Sequence, residues 1–345
     1  MKLLTVVVPV YNTASWLRRC LDSVLVETLR GELELIAVDD GSTDGSSAIL
    51  REYEAQWPGT MRVIRKENGG HGSAVNTGLA AANGLWFRVL DSDDWFDTPG
   101  FLRLMRRLPA CREDLIVTPY SREHMDSGLS EEVDYPFLKS ETRFTFESLD
   151  WHEGMDYFCL ASSTWRTDLL RRCGLRLLEH CSYVDMQLAL CPVPLIRDFR
   201  LIPGPVYRYA IGRSGQSVAP EQMRVQAPMH QRVLSWLADF YAAQRGSLSP
   251  GKARYMRLVL YYMLHTHTQL LLYRVKDRRT ARCALRELDD QLRREAPELY
   301  DLAGRLPALH LSRRLSYLDL LLPTRAAALL SSVRRALSPG RKAAV

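Results

Sequence analysis

The first hundred residues alternate between short unbroken apolar runs and longer stretches with helical spacing. Residues 3–10 (LLTVVVPV) form a continuous β-branched run, the pattern of a strand buried on both faces of a parallel sheet. Trp16, Leu17, Cys20, Leu21, Val24 and Leu25 then fall on one helical face, and Asn12, Thr13 and Ser15 stand where that helix needs caps. The alternation repeats. Residues 33–38 predict a second strand, and Thr43 and Asp44 open a helix with Ile49, Leu50 and Tyr53 inward. Residues 61–65 predict a third strand, Asn68-Gly69-Gly70 a loop, 72–82 a small-residue helix and 85–90 a fourth strand. Strand, crossover helix and strand in succession define an α/β class with a mostly parallel sheet. From about Glu221 the pattern is helical throughout. Met229, Val233, Trp236, Leu237 and Phe240 share one face, and Met256, Val259, Leu260, Met263 and Leu264 another.

Three of the strands end in polar groups: Pro9-Tyr11-Asn12, Asp39-Asp40 and Asp91-Ser92-Asp93-Asp94. Ligands of open α/β sheets bind beyond such carboxyl ends. Carboxylates repel a phosphate directly but suit magnesium or manganese, which in turn holds a diphosphate. No G-x-G-x-x-G follows the first strand and no G-x-x-x-x-G-K-[ST] occurs, which argues against a nicotinamide-binding domain.

At 345 residues the chain is long enough for two domains, and 46% apolar with 25% charged residues is a soluble globular balance. Disordered, collagen-like and disulfide-miniprotein classes are excluded. Seven scattered cysteines without close pairing fit reduced thiols in the cytoplasm. The apolar run after Lys2 is too short for a signal segment, and nothing approaches a membrane span of about 18 apolar residues. Charge divides the chain. Residues 251–345 carry 19 Lys and Arg against 8 Asp and Glu, a net of +11, which leaves −5 of the total +6 for the first 250. Such a basic end fits nucleic acid, an anionic membrane face or a polyanionic substrate, and equally a solvated helical bundle. Residues 315–337 alternate leucine clusters with Arg325, Arg334 and Arg335, with a break at Pro323. That pattern suits a helix lying on anionic lipid at the inner membrane face, and equally a dimerisation helix. His265 and His267 are two apart, the wrong spacing for a metal site on one helical face.

Taken in order, VVVPVYN (6–12), VDDGSTDGS (38–46) and VLDSDDW (89–95) resemble family 2 glycosyltransferases of the GT-A fold, strongly over the first hundred residues and more weakly to about Gln216. The resemblance implies a metal-dependent inverting glycosyltransferase with a nucleotide-sugar donor, a UDP sugar above others, and Mg2+ or Mn2+ as cofactor. By position, Pro9 and Tyr11 would flank the base, Asp40 would contact the uracil or neighbouring ring, and Asp39 would support that loop. In the D-x-D turn that includes Ser92, Asp91 would contact ribose or sugar, and Asp93, with Asp91, would hold the metal. Asn68, Gly70 and His71 belong to a loop below the donor, where glycines permit close backbone approach and a helix N-terminus favours phosphate. The plainer readings are helix caps for Asp39 and Asp40, a turn cap for Asp94 and a surface histidine at position 71.

The family's catalytic base lies in an acidic motif opening a helix, which Glu179 to Leu188 resembles, with Val184 where Glu is common and Asp185 retained as general base. At a helix start the dipole would hold its pKa low. Trp165 suits either sugar stacking or the core. Tyr207-Arg208-Tyr209 and Gly212 to Ser217 resemble the donor-closing loop, with Arg213 suited to a diphosphate and Gln216 beside it. The Q-x-x-R-W motif of processive synthases is missing, so a single addition is expected, onto a glycan, cell-wall polymer or lipid-linked acceptor, with no nucleic acid partner. The implied division is a GT-A domain over 1–218, split at 110 into nucleotide-sugar and acceptor halves, and a basic helical region over 219–345 that suits homo-oligomerisation. One rival is a sugar-1-phosphate nucleotidyltransferase, which needs a glycine-rich basic loop where Tyr11-Asn12-Thr13 stands. The other is a non-catalytic carbohydrate-binding subunit.

Overall fold

The computed structural model describes residues 2–212, 216 and 219–318. The chain forms two compact units, one of Met1–Leu149 with Asp156–Ser214, the other of Asp150–Met155 with the chain from Gly215 onward.

The first unit is α/β, as the alternating pattern requires. Its strands are β1 (Leu4–Val10), β2 (Leu33–Asp39), β3 (Met61–Arg65), β4 (Trp86–Val89), β5 (Trp95–Phe96), β6 (Leu115–Val117), β7 (Tyr120–His124), β8 (Ser130–Val133), β9 (Arg143–Phe144), β10 (Ser163–Arg166), β11 (Phe199–Leu201) and β12 (Tyr207–Ile211). Eight of them form one sheet in the order β3-β2-β1-β4-β10-β6-β11-β9. β1 pairs in parallel with β2 and β4, whereas β10 runs antiparallel to both its neighbours. The helices are α1 (Ala14–Val24), α2 (Ser46–Gln56), α3 (His71–Ala81), α4 (Thr98–Arg107), α5 (Thr167–Arg172) and α6 (Asp185–Leu190). All seven residues of β1 are buried, which is why its sequence runs apolar without alternation. Pro9 survives there because of register. The Val7 carbonyl accepts from Leu90 on the β4 side and that of Val10 from Asp40 on the β2 side, so Pro9 faces β4, whose pairing ends at Val7. No ladder bond is lost there.

A second sheet, β5-β12-β7-β8, had no counterpart in the hydropathy pattern. Trp165, on β10, is 2% exposed and packs in the core, which removes it as a sugar-stacking surface. Arg88 on β4 is also fully buried. It donates to Thr118, Thr164 and the Ala161 carbonyl, and burial pulls its pKa down to about 10. The caps expected for α1 are traded between loops. Thr13 makes no side-chain cap, and the Ala14 N–H donates instead to Asp44 (3.0 Å). Asn12, at φ +53°, accepts from the N–H groups of Thr43 and Asp44.

The second unit is helical over its described residues, with α7 (Pro220–Val225), α8 (Ala227–Gln244), α9 (Pro250–Gln269), α10 (Arg278–Glu295), α11 (Pro297–Gly304) and α12 (Pro307–Arg314). The expected α9 face is buried throughout, but the α8 face is rotated: Val233 and Leu237 are buried with Leu234, Ala238 and Tyr241, while Met229 is 38% exposed. The Asp150–Met155 segment belongs here. Trp151 packs edge-on against Tyr255, and the Met155 carbonyl accepts from the Tyr262 hydroxyl. His267 stacks on His230 with ring centroids 5.1 Å apart. No described helix is long and apolar enough to cross a membrane, and all seven cysteines are free. Most of the 315–337 segment read as a lipid-facing or dimerising helix lies outside the described residues.

Candidate active site

Two acidic turns flank the end of β1, one leaving β2 and one leaving β4. In the first, Asp39 is 1% exposed and accepts from the Ser42 N–H (2.9 Å) and the Ser47 hydroxyl. Asp40 is 2% exposed. Its carboxylate accepts from the N–H groups of Gly69 (3.0 Å) and Gly70 (2.7 Å) and from Lys66 Nζ (2.8 Å), while its carbonyl accepts from the Asn68 amide. Charge-assisted bonds of this kind are the strong ones. Asp40 therefore holds the 66–70 loop in place rather than presenting bare oxygens to a ligand.

The turn after β4 is arranged differently. Asp94 is buried, accepting from the Tyr207 hydroxyl (2.6 Å) and the Ala210 N–H (2.9 Å), so it ties the turn to β12 instead of capping it at Trp95. Burial, with the charges of Asp93 and Asp91, pushes its carboxyl well above the usual range. The same Tyr207 oxygen accepts from the Asp91 N–H (3.2 Å). Ser92 is buried and accepts from Thr13 Oγ1 (3.0 Å), which joins the turn to the end of β1. Asp91 and Asp93 remain half-buried, and the Asp91 side chain is 33% exposed. Tyr209 lies two residues beyond Tyr207, on the same strand face. Burial, then the charges of Asp94, Asp91, Asp185 and Asp93, raise its phenol pKa. Both tyrosines lie in the Tyr207-Arg208-Tyr209 stretch that resembles the donor-closing loop, and here Tyr207 bonds to the turn after β4.

α3 starts directly below these turns. Gly70 precedes it at φ +83°, a conformation that favours glycine, and His71 is its first residue. His71 Nε2 lies 2.8 Å from Asp91 Oδ1. Burial lowers the imidazole pKa, but the Asp91 charge and hydrogen bond, then Asp185 and Asp93, outweigh it, so His71 titrates above its ordinary value. Segment 177–181 crosses the start of α3. The His180 N–H donates to the Gly69 carbonyl (2.6 Å), and Asn76 exchanges two bonds with Leu177. A methyl on Gly72 would sit 2.2 Å from the Leu178 carbonyl oxygen, so only glycine permits this approach. The crossing brings α6 and Asp185 to the acid cluster, after backbone at positive φ at His180 and Tyr183.

The low pKa expected for Asp185 from the helix dipole is overturned. Burial, with the Asp91 charge, raises it despite opposition from His71. α6 is only six residues long, and desolvation outweighs so short a dipole.

The remaining positions are dispersed. Pro9 is buried in β1, Tyr11 is 50% exposed beside it, and Asn68 is exposed on the loop. Arg213 lies outside the described residues. Gln216 falls in the second unit, its carbonyl accepting from the Ala219 N–H. Among the described residues no group of three or more His, Cys, Asp or Glu is poised to hold a metal. Two half-exposed carboxylates fit a magnesium-type ion that takes one or two protein ligands and completes its shell with substrate phosphates and water.

An open α/β sheet with acids at its strand ends and a helix-borne carboxylate facing them is the GT-A architecture. S. aureus TarS 1–349 in complex with UDP-GlcNAc superposes with a TM-score of 0.65 over 97% of this chain and 92% of that one, at 17% identity, a likeness of fold. Residues 5–163, a little under half of the chain, match the Glycosyl transferase family 2 model. The putative glycosyltransferase EpsH of Bacillus subtilis (strain 168) is 37% identical over 130 residues, 38% of this chain and 37% of EpsH. The minor teichoic acid biosynthesis protein GgaB of the same organism is 26% identical over 217 residues, 62% of this chain and 23% of GgaB. The chain thus matches little more than a third of the length of the first relative and under a quarter of the second.

Proposed function

We propose that this protein is a metal-dependent, inverting glycosyltransferase that moves a sugar from a UDP-type nucleotide sugar to a hydroxyl of a cell-envelope polymer or lipid-linked glycan. The observation that carries the reading is the convergence of Asp185 with Asp91, Asp93 and His71 at the carboxyl ends of β1, β2 and β4. Asp185 takes the proton of the acceptor hydroxyl as its oxygen attacks the anomeric carbon. A carboxylate whose pKa is raised toward the working pH is the better base. Asp93, with Asp91, would hold Mg2+ or Mn2+, which when bound neutralises charge growing on the departing diphosphate. Pro9, Tyr11 and the loop fixed by Asp39 and Asp40 would bound the base and ribose, with Asn68, Gly70 and Ser92 at the floor. The UDP-GlcNAc complex of TarS and the teichoic acid role in the name of GgaB support the donor and polymer classes. Residues 1–218 would carry catalysis, and the basic helices from 219 the acceptor, a membrane surface or a second copy.

Titration of the protein with UDP and UDP-GlcNAc, with and without manganese, tests this reading. Saturable binding that tightens with manganese is expected. No binding of any nucleotide sugar in a broad panel would overturn it.

A further inference from the structure

His71 is held from several directions at once. Asp40 accepts from Gly69 and Gly70 immediately before it, and the Gly69 carbonyl accepts from His180. Behind it, α3 lies so close to β1 that a methyl on Gly78 would stand 2.4 Å from Val7 Cγ1, so the helix has no room to shift. From this fixed base the imidazole reaches Asp91 Oδ1 at 2.8 Å. The Asp91 backbone is fixed independently, its N–H donating to Tyr207 and its carbonyl accepting from the Asp94 N–H (3.0 Å). His71 thus sets the direction of a side chain whose main chain is already immobile. It engages one carboxylate oxygen and leaves the side chain a third exposed. It also connects the two acidic turns, since the loop that Asp40 builds is the loop that delivers it.

We propose that His71 is a positioning residue. Holding Oδ1 of Asp91, it aims that carboxylate at the hydroxyls of a nucleotide's ribose or sugar ring and does not itself touch the donor. This rests on the donor-site reading given above. A free carboxylate rotates about χ2, and fixing it in advance removes an ordering cost from ligand binding.

The experiment compares wild type, His71→Ala, His71→Gln, Asp91→Ala and the double variant His71→Ala/Asp91→Ala. Calorimetric titration with UDP, with and without manganese, is the first readout, and KM and kcat for UDP-GlcNAc hydrolysis the second. His71→Ala is expected to weaken UDP binding and raise KM about tenfold with little change in kcat. His71→Gln, which can still donate to Asp91, should stay within about threefold of wild type. The double variant should bind no worse than Asp91→Ala alone, because residues acting through one contact are not additive. UDP binding by His71→Ala equal to wild type, or losses that simply add, would overturn the proposal. If His71→Ala does not fold, His71→Gln carries the decision: binding as weak as that of Asp91→Ala overturns it. A wild type that binds no nucleotide would sink the donor-site reading itself, whereas a wild type that binds alongside an unaffected His71→Ala would sink this inference alone.

Discussion

The turns leaving β2 and β4 carry the same residue at the same topological position on either side of β1, yet they do opposite things. Asp39 and Asp40 are buried, and their oxygens are engaged by backbone N–H groups, the Ser47 hydroxyl and Lys66. Asp91 and Asp93 stay half-exposed, while the burden of fixing their turn falls on Asp94, Tyr207, Ser92 and Thr13. A carboxylate surrounded by donors is construction material. One that stays half-exposed while its neighbours hold the backbone of its turn is open to a ligand. The distinction lies in burial rather than in residue type.

Separating stability from turnover sharpens this contrast. Asp185→Asn should cost turnover most, about 10²- to 10⁴-fold, with donor affinity kept. Its thermal midpoint at neutral pH should not fall, because the fold raises the Asp185 pKa and so favours an uncharged group there. In wild type, turnover should drop as pH falls through that raised value, since the base must be deprotonated. Steady-state kinetics against pH, with melting curves, checks both points. Asp93→Ala should lose about 10²- to 10³-fold in donor turnover and the stabilisation by manganese plus UDP, with a smaller loss of urea stability than Asp40→Ala. Asp40→Ala should behave the other way, losing about 2–3 kcal/mol in urea unfolding as the Gly69 and Gly70 N–H groups lose their acceptor. Equal stability losses in the two variants would erase the contrast. The smallest effect concerns His71. Its folded pKa is raised, so its contribution is full below about 6.5, the ordinary value, and is lost as pH rises through the folded one. The melting-point gap between wild type and His71→Ala should be wide at pH 5.5 and narrow at pH 8.5.

Much of this was legible in the chain. Strands buried on both faces run largely apolar, so β1, β2 and β4 declared themselves despite Thr5, Glu34 and Arg88, and the acids where those runs stop marked the site. What remained hidden has physical reasons. β5 and β9 have two residues each, too few to show a period, so these edges of the two sheets left no trace. Hydropathy gives Trp165 the same score on a cleft wall as in the core, where it lies. The dipole argument for Asp185 failed because desolvation depends on tertiary neighbours that the local sequence does not list. Tyr207 acts through partners more than a hundred residues away. On α8, small Ala238 turns inward and Met229 outward, a rotation decided by packing.

The detour of Asp150–Met155 into the helical unit has a practical consequence. The polypeptide passes between units three times, so no single scission releases either half whole. A fragment ending near Ser214 would keep Trp151, 4% exposed in the intact protein, without the Tyr255 against which it rests. Anyone dissecting the molecule must excise or replace that hexapeptide along with the tail, or accept an indole without its packing partner in the truncated protein.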